Sequence, residues 1–125
     1  LPRGDERVLL VEDEEMVRRL ARRMLERQGY TVVEARDGRD ALARCSGRAP
    51  EIQLLLTDVV MPGMNGKELY RELCRRRPGL RVLYMSGYSE DVVAHHGVLD
   101  EGTLLVQKPF TVRTLAQMVR RALDR

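Results

Sequence analysis

Five short apolar runs, separated by stretches of helical period, restrict this chain to a narrow set of folds. The first is Val8-Leu9-Leu10-Val11, and others follow at residues 31–35, 52–57, 81–85 and 103–107. Between them apolar residues return every three or four positions, the spacing that gathers them on one helical face. Helices are expected at residues 14–28 and 39–46, after the turn Met61-Pro62-Gly63-Met64-Asn65-Gly66, at about 90–95, and at 111–123. Val17, Leu20, Ala21, Met24 and Leu25 form the inward face of the first helix, which Gly29 ends. Leu69, Tyr70, Leu73 and Cys74 form that of the third, broken by Pro78-Gly79, and Val112, Leu115, Val119 and Leu123 that of the last. The fourth is short, ends in His95-His96-Gly97, and is expected to be the least stable.

Such alternation implies a parallel sheet covered by helices on both faces and joined by right-handed crossovers. Run 52–57 is apolar enough to be covered on both sides. In open sheets of this kind ligands collect beyond the carboxyl ends of the strands. Four of the runs end there in polar groups: Glu12 and Asp13, Asp58, Ser86, and Lys108.

With 125 residues, 43% hydrophobic and 33% charged, the chain fits one domain, read as residues 7–125 after an N-terminal extension of residues 1–6. Cys45 and Cys74 fall on predicted helices in apolar positions, which suits reduced, packed thiols in a cytoplasmic setting. No stretch approaches the roughly 20 apolar residues of a membrane span. Leu1 is not a methionine and the chain stops directly after a predicted helix, as expected of a piece of a longer polypeptide. The net charge of +3 does not point to nucleic acid, because 20 of the 22 basic residues are Arg spread over several helices with few aromatics between them. No direct nucleic-acid binding is expected.

Two adjacent acids and a third on a neighbouring strand make a hard oxygen site whose like charges repel until a divalent cation binds. Mg²⁺, or Mn²⁺, suits such a site, since it takes one or two carboxylates and keeps positions for water and phosphate oxygens. A carboxylate such as Asp58 is also a nucleophile able to form an aspartyl phosphate. Lys108 would then neutralise a phosphoryl oxygen and the Ser86 hydroxyl would donate to another. Each residue alone has an ordinary explanation, acids at a helix N-terminus or a strand exit before a turn. Their coincidence at four strand ends has none.

The segments Val11-Glu12-Asp13-Glu14, Thr57-Asp58-Val59-Val60-Met61-Pro62-Gly63-Met64-Asn65-Gly66, Met85-Ser86-Gly87 and Lys108-Pro109-Phe110 resemble, in order, the receiver domain of two-component response regulators. The resemblance implies a flavodoxin-like (βα)5 sandwich with strand order 2-1-3-4-5. It implies that Asp58 is the phosphoacceptor and that Asp13 and Asp58 bind Mg²⁺ directly. Glu12 would act directly or through water, and the Val60 backbone carbonyl would complete the ligands. Ser86 and Lys108 would sense the phosphoryl group, and the Lys108-Pro109 peptide would be cis. The implied partner is a histidine kinase or a histidine phosphotransfer domain, and the implied output is a change in the surface of the fourth and fifth predicted helices and the fifth strand. A homodimer stays open. Tyr84-Met85-Ser86-Gly87-Tyr88 and Leu105-Val106-Gln107-Lys108-Pro109-Phe110 look like receivers attached to hybrid sensor histidine kinases. Such a domain performs only self-phosphorylation and self-dephosphorylation, with a histidine kinase open as the parent chain.

Two departures stand out. Many relatives carry an aromatic three residues before the lysine, where this chain has Leu105, so Tyr88 is the candidate to shield the phosphoryl group or relay the switch. Val60 cannot hold an attacking water as a polar side chain there would, which predicts slow loss of the phosphoryl group. His95 and His96 point in different directions and are assigned surface roles. Among alternatives, a Mg²⁺ phosphohydrolase similar to haloacid dehalogenases needs a second acid where Val60 stands. A dinucleotide-binding dehydrogenase needs a G-x-G-x-x-G that is absent after the first strand. The receiver of a DNA-binding response regulator is the other alternative.

Overall fold

The computed structural model describes residues 1–46, 51–87 and 102–125. In chain order its elements are β1 (Arg7–Val11), α1 (Glu15–Arg27), β2 (Thr31–Ala35), α2 (Gly38–Arg44), β3 (Leu54–Asp58), α3 (Gly66–Arg76), β4 (Arg81–Ser86), β5 (Leu105–Gln107) and α4 (Val112–Leu123). The strands pair in parallel, as the alternation of runs leads one to expect, in the order β2-β1-β3-β4-β5 that the receiver resemblance implies. The helix expected near residues 90–95, with His95, His96 and Tyr88, lies outside the described residues.

Strand alternation explains why the central runs are apolar throughout. Val8 and Leu10 of β1, with Leu54 and Leu56 of β3, pack beneath Ala21 and Leu25 of α1 and Leu115 and Val119 of α4. Leu9, Val11 and Leu55 face the other way, against Ala41 of α2 and Leu69 and Leu73 of α3. Both faces of the central strands are therefore buried, and from Val8 to Val11 and from Leu54 to Leu56 every side chain is apolar. Cys45 and Cys74 are free thiols, half-buried against the second of these layers.

Helix starts are set locally. Asn65 and Glu68 form a reciprocal capping box at α3, with bonds of 2.8 and 3.0 Å, and Asp37 caps α2. At the α3 start Gly66 is buried, and a Cβ there would collide with the Asp58 carbonyl oxygen. Only glycine lets the helix approach the end of β3 this closely.

Two expected helix faces are displaced. Leu20 was expected to face inward with Ala21 and Leu25, but it is 52% exposed at the side of α1. On α4 the buried face is Leu115, Ala116, Val119 and Ala122, with Val112 and Leu123 only half-buried. The cause is the same in both cases. Large apolar side chains dominate a periodicity reading, whereas close helix-to-sheet packing selects small alanines for the line of contact.

Candidate functional site

Strand register builds the site. Val11 pairs with Thr57, so Glu12 and Asp58 are the next residues across the β1–β3 ladder, and Asp58 in turn pairs with Met85 of β4. Asp58 and Ser86 are the last residues of their strands rather than the first of a loop, so the ladder fixes their backbones. Lys108 follows β5, and its backbone N–H donates to the Ser86 carbonyl at 2.7 Å. From there its ammonium reaches Glu12 Oε1 at 2.8 Å and Asp58 Oδ1 at 2.9 Å. The Lys108-Pro109 peptide is cis.

Carboxylate oxygens of Glu12, Asp13 and Asp58 lie within 4.8 Å of one another. Glu12 is 1% and Asp58 5% exposed, while Asp13 faces solvent. Glu12 Oε2 also accepts the Glu14 N–H at 3.1 Å, where α1 begins without a side-chain cap of its own. Burial, then the neighbouring Glu12 carboxylate, push Asp58 up to about 8, against the pull of Lys108. For Glu12, burial acts upward but hydrogen bonds to Asp58 and Lys108 outweigh it and lower the carboxyl. Asp13 is raised, chiefly by Glu12 and then by burial. Burial would lower the Lys108 ammonium, but the two carboxylates outweigh it and raise it. Three acids around one ammonium, two of them out of water, are a costly arrangement that a proton on Asp58 or a bound cation relieves.

Two observations test the fit to a hydrated dication carrying a phosphoryl group. The donor set is oxygen only, as a hard cation requires. Ser86 is 2% exposed, and its hydroxyl is the one buried side-chain polar atom without a hydrogen-bond partner among the described residues. A buried unpaired hydroxyl is rare enough to call for an explanation, and a bound ligand is one that the neighbouring acids make room for.

A family model described as the response regulator receiver domain matches residues 8–120. The chain belongs to that family. The receiver is 39% identical over 122 residues to the sensor kinase CckA of Brucella abortus (strain 2308), a match covering 98% of this chain and 13% of that protein. It is 32% identical over 117 residues to the response regulator receiver protein CpdR of the same organism, covering 94% and 96%. Among solved structures, the receiver domain of the hybrid histidine kinase CckA superposes with a TM-score of 0.75 at 35% identity, covering 94% of this chain and 98% of that one. This receiver is thus a domain of two-component signalling, of the kind that works with histidine kinases.

The sequence-predicted residues divide as follows. Glu12, Asp13, Asp58 and Lys108 converge, and Ser86 lies on the adjoining strand end. Val60 lies two residues past Asp58 with its side chain half exposed. Leu105 is half-buried on β5, paired with Tyr84 of β4, and Tyr88 lies outside the described residues. The sequence reading missed Arg18, whose guanidinium donates to the Glu12 carbonyl at 2.8 Å. Nothing in the sequence separates it from the other arginines on helix surfaces.

Proposed function

We propose that Asp58 accepts a phosphoryl group from a partner's phosphohistidine, with Mg²⁺ or Mn²⁺ held by Asp13, Asp58 and, directly or through water, Glu12. Val60 would add its backbone carbonyl. The observation that carries this reading is the pairing of a buried acidic cluster on Lys108 with an unpartnered Ser86 hydroxyl. A carboxylate oxygen of Asp58 attacks phosphorus, the phosphorus–nitrogen bond breaks, and the imidazole leaves with the electron pair. A dication held by these carboxylates would supply neutralisation of the charge on the phosphoryl oxygens. Lys108, which bonds Glu12 and Asp58, would move to a phosphoryl oxygen, and Ser86 would donate to another. The reading takes residues 7–125 as the receiver unit, preceded by residues 1–6.

Access to Asp58 is bordered by an apolar rim. Met16 is 81% exposed, and Val17 and Leu20 line a cavity of about 430 Å³ together with Lys108, Pro109 and Phe110. A helix presenting a phosphohistidine would bury this rim on docking. The higher identity to CckA favours a hybrid sensor kinase as the parent chain.

The test is incubation with Mg²⁺ and a small acyl phosphate, followed by intact mass and mapping of the acid-labile adduct. One phosphoryl group on Asp58, absent without metal and absent in Asp58→Asn, is expected. Catalytic turnover of a phosphate ester without a labelled protein would favour the phosphohydrolase instead.

A further inference from the structure

We infer that Arg18 is a positioning residue for the dication, an inference that rests on the function proposed above. Its side chain, largely buried under α1, joins the two strands framing the acidic turn. One terminal nitrogen donates to the Glu12 backbone carbonyl at 2.8 Å, and Nε donates to Glu34 of β2 at 3.3 Å. On its other side the Glu12 N–H donates to the Ala35 carbonyl at 3.1 Å. The peptides before and after Glu12 are therefore both held, the first by the β2 backbone and the second by Arg18. That second peptide leads into Asp13, where β1 has ended and the ladder no longer fixes the chain. Its orientation sets where both acidic side chains begin.

The same helix supplies a control. Arg22, one turn further along, meets the other oxygen of Glu34 at 2.6 Å and reaches Glu26, not the Glu12 carbonyl. Loss of either arginine removes an ion pair to Glu34, but only loss of Arg18 frees the acidic turn.

The sign of the effect separates positioning from plain charge. A guanidinium beside a dication repels it, so if Arg18 acted through its charge alone, its removal would tighten metal binding. If it positions the ligands, its removal weakens binding, by roughly tenfold on the scale of residues that orient metal ligands. The experiment is an Mn²⁺ titration followed by electron paramagnetic resonance on the whole chain, with a thermal melt of each variant. Arg18→Met is expected to raise the Mn²⁺ Kd by about tenfold, and Arg22→Met to leave it unchanged at a comparable loss of Tm. Arg18→Lys, which keeps the charge and a single donor, is expected to fall between wild type and Arg18→Met, and it gives the answer if the methionine variant does not fold. An unchanged or lower Kd in the Arg18 variants, or an equal rise in Arg22→Met, overturns the inference. Wild-type protein that binds no Mn²⁺ removes the proposed function and this inference together.

Discussion

β1 carries a charged cluster at each end, and the two are built to opposite effect. At its start Glu6 meets Arg120 of α4 through both carboxylate oxygens, at 2.6 and 3.0 Å. Arg120 grips Asp124 with two further bonds of 3.0 and 2.7 Å and donates to the Arg3 carbonyl at 3.2 Å. All five donors of the guanidinium are used, and the surplus acid, Asp124, is 61% exposed to water. At the end of β1, Lys108 also bridges two acids, but these are buried, a third stands beside them, and the Ser86 hydroxyl has no hydrogen-bond partner among the described residues. A saturated cluster with its excess charge in water holds a chain together. An unsaturated one with its excess charge buried is a site waiting for a ligand.

The largest expected effect comes from Asp58→Asn. Phosphoryl labelling should fall to background, and the rise in Tm with Mg²⁺ expected of wild type should be lost. In EDTA above pH 8 the same variant should melt higher than wild type, by roughly 5 °C, because a buried carboxylate beside Glu12 is gone. A lower melting point there would place Asp58 among the holding residues and break the contrast.

Arg120→Met should act in the other direction. It removes bonds to two carboxylates and a carbonyl while leaving Glu6 half enclosed, and about 2 kcal/mol of stability is expected to go, discounted for partial exposure. Urea denaturation measures this, and the labelling rate of the folded fraction should stay within twofold. A labelling defect equal to the stability defect would mean the two ends of β1 are coupled.

Ser86→Ala sharpens the contrast from the site side. Removing an unpartnered buried hydroxyl should be neutral or stabilise by up to about 1 kcal/mol. Labelling by a small phosphodonor should slow, since a donor to the phosphoryl group is lost. Destabilisation would show that the hydroxyl has a structural partner.

The site cluster was far more legible in the sequence than the clamp. Glu12 and Asp58 each follow a run in which every residue is buried, so a polar residue there had to lie at a strand end, and Lys108 follows the apolar run of β5; one topology brings those ends together. Glu6, Arg120 and Asp124 follow no such rule. They lie in a chain with 22 basic and 19 acidic residues, and only the approach of Arg120 on α4 to Glu6 before β1 selects these three from the many available. Arg18 was illegible for the same reason, because its acceptor is a backbone carbonyl, which any residue would supply. The exposed Leu20 misled for a related reason. An amphipathic pattern marks apolar side chains without distinguishing those that face the sheet from those that rim an opening.

The smallest expected effect is a pH dependence of opposite sign at the two ends. Hydrogen bonds from Arg120, opposed by burial, hold the Glu6 carboxyl below its ordinary 4.5. Its stabilisation is therefore complete above about pH 4.5 and disappears as pH falls through the lowered folded value. Asp58 is raised, to about 8 from 3.8, so its ionisation opposes folding increasingly between those values and is relieved as pH falls. Urea denaturation in EDTA at pH 8, 6, 4.5 and 3.5 should show Glu6→Gln less stable than wild type by about 1 kcal/mol at the upper values and converging with it at the lowest. Asp58→Asn should show its advantage at pH 8 and lose it on acidification. If Glu6→Gln ran parallel to wild type across the whole range, the clamp would contribute packing and no charge, and the start of β1 would owe its order to Gly4 and Gly29 instead. There the Gly4 N–H donates to the Gln28 carbonyl at 3.0 Å, and Gly29, at φ 101°, leaves no room for a Cβ beside the Gly4 carbonyl.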